Sequence, residues 1–348
     1  MPTLYVTEPG SVVRRRTGSF IVTCNKEENQ SISEPSKKKS IRLEVEPHRL
    51  EMIGLVGRVH ITAEATRMCL DNDIAVSWLS RNGKLRGRLV PELSRTADLR
   101  LLQYQTINNV TGTLKLCKAI IDAKLANAAS LISMIRSNRP KEPRFSHAIA
   151  HLGRLREKVS EINDLQILLG CEGEGAAQYF SVLGLAFSGD ITFETRRRRP
   201  PPDPANALLS LGYVLLANLI AGMLEARGFD PYMGVFHKQR SGRPSLALDI
   251  MEEFRHPVVD RFVLRLCNRR QLKSDDFETN QRHTGTRLKR NSLKQFFREW
   301  EKFLDNKMAN LDSDLTVEEA LHRQINRFAD YLRGRDLYQP LLLREADE

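Results

Sequence analysis

The chain has 348 residues, of which 41% are hydrophobic, enough for one large core or two smaller ones. Lys and Arg outnumber Asp and Glu by 54 to 43, and the net charge of +11 favours a polyanionic partner, nucleic acid or an anionic membrane surface. Its cysteines, Cys24, Cys69, Cys117, Cys171 and Cys267, include no C-x-x-C pair, which excludes a zinc ribbon or finger and does not resemble a disulfide framework; with no visible leader in MPTLYVTEPG, the expected setting is a reducing cytoplasm.

Residues 1–93 read as β. Short runs rich in Val, Ile and Thr (LYVTEP, SFIVTC, IRLEVEP, RLEMIGLVG, RVHITAEA, IAVSWLS) are punctuated by Gly, Pro, Asn and Asp, and Asn82-Gly83 is a hairpin signal. Residues 25–40, NKEENQSISEPSKKKS, have almost nothing to bury and read as a mobile loop. From 94 the pattern turns helical, with Ser94 as an N-cap and further helical segments near 146–186, 205–227, 244–269, 289–309 and 315–334. Strands followed by helices predict an α+β chain: a small β-sandwich-like domain at 1–93, then a larger all-α domain at 94–348. Residues 207–224, ALLSLGYVLLANLIAGML, carry no charge and reach the lower length limit of a membrane span, but polar flanks and the lack of a second such run favour a helix buried on all sides.

Three places could carry chemistry. In LLGCEGEGAAQYFSVL, 168–183, glycines interrupt an apolar stripe at a cost of about 1 kcal/mol each. The stripe runs through Leu165, Leu168, Leu169, Glu172, Ala176, Tyr179 and Leu183, so Glu172 sits on the inward face, where a carboxylate needs a partner, while Glu174 faces elsewhere. In GFDPYMGVFH, Gly228 ends a helix, Asp230-Pro231 turns the chain and a short apolar run delivers His237. In GRPSLALDIMEEFR, Asp249 and Glu252 share a helix face. A histidine twelve residues ahead of two such acids is a mixed N/O set of the kind that Mg²⁺ or Mn²⁺ accepts, although an arginine-paired glutamate and a solvated acidic face would give the same patterns. Arg196, Arg197, Arg198, Arg199, Arg240, Arg243 and Arg287 surround these positions with positive charge, which suits binding of a phosphodiester backbone. His147 and His151 lack the glutamate of a zinc-protease motif.

Taken in order, LLGCEGEGAAQYFSVL, RRRRPPPDPANALLSLGYVLL, GFDPYMGVFH and GRPSLALDIMEEFR resemble the CRISPR-associated spacer integrase family. The resemblance implies an N-terminal β-sandwich, expected to serve dimerisation and DNA contact, and a helical catalytic domain. It implies a homodimer that works with a small companion protein on double-stranded DNA, with no membrane involved. The family's metal-binding glutamate falls on Glu172, its histidine on His237 and its third acid on Glu252, with Asp249 matching a further acid of the same motif. The activity implied is joining of the 3′-hydroxyl ends of captured DNA to the CRISPR repeat by Mg²⁺- or Mn²⁺-dependent transesterification, with endonuclease activity on branched DNA. A purely degradative metal nuclease and a non-catalytic DNA-docking subunit are the alternatives.

Overall fold

The computed structural model describes residues 3–25, 40–81, 83–90, 97–139, 142–237, 240–279, 285–308 and 315–343. The chain divides into two compact units, Met1–Leu93 and Ser94–Glu348. Ser94, Asn82 and most of the 25–40 loop lie outside the described residues.

The first unit contains β1 (Thr3–Val6), β2 (Val12–Arg16), β3 (Ser19–Asn25), β4 (Ser40–Val45), β5 (Met52–Val56), β6 (His60–Ile61), helix α1 (Ala63–Asp71), β7 (Ala75–Leu79) and β8 (Leu85–Leu89). Two four-stranded sheets result, in the orders β1-β5-β7-β8 and β4-β3-β2-β6. Their inward residues, among them Val6, Val13, Phe20, Ile53, Leu55 and Val76, share one core with Met68 and Cys69 of α1. The strand-rich character expected at 1–93 is present. The pairing is not all hairpins, because β1–β5, β5–β7 and β2–β6 run parallel. The segment RVHITAEA is also not one strand. It pairs only at His60–Ile61, after which the Thr62 hydroxyl accepts the Ala65 amide at 3.3 Å and starts α1.

The second unit is built from α2 (Ala97–Asn108), α3 (Val110–Ser137), α4 (Pro143–Glu161), α5 (Leu165–Leu183), α6 (Pro204–Arg227), α7 (Ser245–Phe254), α8 (Arg261–Asn268), α9 (Arg290–Asp305) and α10 (Val317–Leu332). The expected helix at 146–186 is broken at residues 162–164, where the Asp164 carboxylate accepts the Gln166 and Ile167 amides at 2.7 and 3.0 Å and opens α5. The segment 244–269 is divided by a π-helical turn, Arg255–Asp260, between α7 and α8. A short antiparallel pair, β9 (Phe277–Thr279) with β10 (Thr286–Leu288), means that the helical unit is not purely α.

Helix α6 holds the apolar run 207–224. It is long and apolar enough to cross a membrane, but it packs against α7, α8 and α10, with Leu208, Leu209, Leu216, Ile220 and Leu224 all buried. Gly228 at φ 100° ends it in the left-handed conformation that glycine adopts without strain.

The glycines of α5 divide by role. A Cβ on Gly175 would stand 2.2 Å from Leu125 Cδ2 of α3, whereas one on Gly170 or Gly173 would meet nothing within 4 Å. Gly175 therefore sets how closely α5 approaches α3. The buried face of α5 runs through Leu168, Cys171, Gly175, Tyr179 and Val182, so Glu172 stands on the shoulder of the stripe instead of at its centre. That shoulder position leaves its carboxylate at the rim of the core, 21% exposed.

Candidate metal centre

His237 lies on the loop after α6, and three helices hold that loop. From α2, the buried Gln103 amide donates to the carbonyls of Asp230 and Met233, both at 2.8 Å, and its oxygen accepts the Asp230 amide at 3.0 Å. From α3, the Cys117 thiol reaches the Val235 carbonyl at 3.5 Å, and burial pushes that thiol up to about 12. From α7, Asp249 takes the next three amides: Val235 and Phe236 donate to Oδ2 at 2.6 and 3.1 Å, and His237 donates to Oδ1 at 3.0 Å. Gly234 is required for this fit, because a Cβ there would lie 2.7 Å from Asp249 Oδ2.

Asp249 Oδ1 also accepts the His237 ring at Nδ1, at 2.6 Å. With Nδ1 carrying the proton, Nε2 presents a lone pair and lies 3.9 Å from Glu252 Oε1. Asp249, which is fully buried, thus spends both oxygens on protein donors. Glu252, one turn later on α7, turns its carboxylate toward the histidine and is only 2% exposed.

Glu172 reaches the same place from α5. The side chain that joins the two glutamates is Lys124 of α3, which sequence analysis did not single out. Its ammonium donates to Glu172 Oε1 and stands 2.6 Å from Glu252 Oε2. Arg255 Nε lies 3.4 Å from that same oxygen. The buried Glu252 Oε2 is therefore held between two cations. Burial acts to raise the Glu252 carboxyl, but Arg255, Lys124 and His237 outweigh it and hold the group well below the usual carboxylate range.

Glu252 thus stands next to both other groups: Lys124 joins it to Glu172, and His237 Nε2 faces it at 3.9 Å. The histidine is fixed by an acid on its other nitrogen. That donor set fits a divalent cation of the Mg²⁺ or Mn²⁺ type, and the Asp249–His237 pair is the outer support such sites use.

Behind the centre, Asp260 of the π-helical turn accepts Tyr179 of α5 at 2.8 Å, Tyr213 of α6 at 2.5 Å and His256 Nδ1 at 2.8 Å, all buried. The Tyr213 ring carries two guanidinium groups, Arg255 at 4.8 Å and Arg196 at 5.4 Å from its centroid. Glu253, the flanking acid, faces the opposite way. It accepts Tyr338, Gln324 at 2.8 Å and the Leu341 amide at 2.7 Å.

The arginines named as DNA contacts separate into three kinds. Arg196 is an internal tie, donating to the Arg197 carbonyl, Asn206 and Ser210 at 2.9, 2.8 and 3.1 Å. Arg287 is paired with Glu278 at 2.8 Å. Arg197, Arg198, Arg199 and Arg240 are exposed, and Arg243 is half-buried. Burial, together with the nearby Arg240 and Arg198 charges, lowers Arg243 from its ordinary value, which marks a concentration of positive charge beside Asp249 and Glu252. Glu174 points away from the centre and pairs with His151 at 2.8 Å.

Solved structures share this architecture. A casposase bound to its integration product aligns with a TM-score of 0.81 over 97% of this chain and 92% of that one, at 21% identity. A Cas1 protein from Thermotoga maritima aligns with a TM-score of 0.77 over 97% and 98%, at 22% identity. A Cas6-RT-Cas1–Cas2 complex aligns with a TM-score of 0.78 over 99% of this chain and 36% of that one, at 22% identity. Among curated relatives, a CRISPR-associated endonuclease Cas1 of Chlorobaculum tepidum is 30% identical over 98% of both chains. Another, from Thermus thermophilus, is 32% identical over 85% of this chain and 86% of its own. A family model described as CRISPR associated protein Cas1 matches residues 4–302, and the chain belongs to that family.

Proposed function

We propose that this chain is the metal-dependent integrase of CRISPR adaptation, joining the 3′-hydroxyl ends of captured duplex fragments to the CRISPR repeat. The observation that carries the proposal is that Glu252 of α7 neighbours both Glu172, through Lys124, and His237 Nε2, with Asp249 fixing the histidine. Glu172, Glu252 and His237 Nε2 would hold one Mg²⁺ or Mn²⁺. When bound, the ion supplies Lewis-acid polarisation of the phosphodiester and charge stabilisation.

This chain's own residues do the rest. Asp249 keeps His237 in the tautomer whose Nε2 faces the centre, so it positions the histidine and is not itself a ligand. Exposed Arg197, Arg198, Arg199 and Arg240, with Arg243, bind DNA phosphates and set the duplex against the site. In the reaction, a bond forms between the attacking 3′-oxygen and the repeat phosphorus, and the bond from that phosphorus to the repeat strand's own 3′-oxygen breaks. The attacking hydroxyl gives up its proton and the departing oxygen gains one, so no nucleotide triphosphate is consumed. Water in place of the hydroxyl gives endonuclease cleavage. The working form is a homodimer that acts in the cytoplasm with a small companion protein on double-stranded DNA.

A second reading, a non-catalytic DNA-docking subunit, is favoured by one observation: Lys124 and Arg255 already pair the two glutamates. Strand transfer decides between them. The protein and its companion are mixed with a 3′-hydroxyl duplex and a supercoiled plasmid carrying the repeat, with Mn²⁺ or with chelator. Metal-dependent covalent joining by wild type and its loss in His237→Ala support the integrase. DNA binding without any covalent product, in folded protein with its companion, supports docking, and degradation without joining supports a plain nuclease.

A further inference from the structure

Lys124 lies in the middle of α3 and is 4% exposed. A buried lysine is expensive unless its ammonium is paired, and here the pairing is with the two carboxylates that converge on His237. The close approach of α5 to α3 at Gly175 is what places Glu172 within its reach.

The place of this ammonium makes the pairing consequential. It stands between Glu172 and Glu252 and occupies oxygens that a metal would need. A divalent ion brought to the same oxygens would meet the ammonium at close range in a largely buried place. Withdrawal of the ammonium from the carboxylates removes that repulsion and frees the oxygens. The ammonium has three donors and no acceptor, so it cannot join the ion's ligands and can only compete for the same oxygens. Arg255 has no such freedom, since its guanidinium is stacked on Tyr213.

We propose that Lys124 is a tethered cation that a divalent metal displaces from Glu172 and Glu252, and that this exchange couples metal binding to DNA binding. The inference rests on the metal-centre reading above. The displaced ammonium, on a flexible four-carbon stem, needs another anion, and the DNA phosphodiester is the anion brought to this site. Metal and DNA then favour one another, and the linkage is reciprocal.

The test measures Mn²⁺ affinity by electron paramagnetic resonance for wild type, Lys124→Met, Lys124→Gln and Lys124→Arg, each with and without a blunt duplex and each checked for folding by near-UV circular dichroism. Both uncharged variants are expected to bind Mn²⁺ about tenfold more tightly than wild type without DNA, the scale of removing one buried competing charge. Lys124→Arg stays near wild type. Added duplex tightens Mn²⁺ binding by wild type by at least about threefold more than it does for the uncharged variants, because their coupling has been removed. Weaker or unchanged Mn²⁺ binding by both uncharged variants overturns the proposal, since a merely structural lysine gives that result. Equal tightening by DNA in wild type and variants overturns the coupling. Glu252→Gln keeps the two failures apart: if wild type binds Mn²⁺ no better than Glu252→Gln, the metal centre itself is refuted.

Discussion

Replacing Asp249 with asparagine changes one atom and should cost more than removing the histidine it supports. Each Asp249 oxygen accepts two donors, Val235 N and Phe236 N on one side, His237 N and His237 Nδ1 on the other. An amide offers one acceptor oxygen, so whichever way the substituted side chain turned, its NH₂ group would face two N–H donors. Two charge-assisted hydrogen bonds are lost and two donors are stranded against a fully buried side chain, an expected loss of about 3–5 kcal/mol. Against a total stability of about 5–15 kcal/mol this is a large fraction. His237→Ala removes only the Nδ1 bond of a side chain that is 18% exposed, and should cost about 1 kcal/mol. Urea denaturation followed by far-UV circular dichroism gives both values from the midpoint and slope. Because loosening the loop also frees the imidazole, Mn²⁺ affinity of Asp249→Asn should fall about 10–100-fold. A loss below about 1 kcal/mol, or a loss no larger than that of His237→Ala, would refute the reasoning.

Gly170→Ala should stabilise the protein by up to about 1 kcal/mol, since a methyl there meets nothing and improves the helix, whereas Gly175→Ala pushes into Leu125 and should lower the melting temperature; matching signs in the two melts would contradict the close approach of α5 to α3. Glu253 supplies a pH test: burial raises its carboxyl to about 7 against the donors Tyr338, Leu341 N and Gln324. The folded state therefore binds the proton more tightly than the unfolded chain, so this contribution is complete below about pH 4.5 and is lost as pH rises to about 7, on the order of 3 kcal/mol. Glu253→Gln should flatten the decline in urea stability between about pH 5 and pH 7.5, and an unchanged slope would count against it. Arg198→Ala should reduce the salt dependence of DNA binding by about 0.9 in log–log slope without altering the melt, while Arg196→Ala should lower the melting temperature; a reversed pattern would place the phosphate contact on the internal arginine.

Local features of the centre were legible in the sequence. The turn at Gly228, the delivery of His237 and the shared face of Asp249 and Glu252 are set by neighbours a few residues apart, and the structure brings these residues together. Spacing could not separate the acid that holds His237 Nδ1 from the one that faces its Nε2, because Asp249 and Glu252 differ only in which donors the 234–237 loop brings to them. Lys124 carried no signal. It is one of 54 basic residues, and only the tertiary contact of α3 with α5 makes it a partner of Glu172. The break at Asp164 was hidden because apolar spacing continues across it, and the cap is visible only once a helix start is sought there. Parallel pairing of β1, β5 and β7 is equally silent, since partners distant in sequence leave no periodic trace.

The side chain of Asn127, one turn beyond Lys124 on α3, donates to the carbonyls of Glu253 and Leu341 and accepts the Leu343 amide, bonds that span 126, 214 and 216 residues. With Leu341 also bound to the Glu253 carboxylate, residues 338–343 form a brace on the far side of the helix that carries Glu252. Such distant partners mean that this helix is finished only after residues 338–343 have been made. A nascent chain that already holds Glu172, His237 and Glu252 still lacks the segment that locks α7 in place. Removing residues 338–343 would leave every candidate ligand present on an unbraced helix.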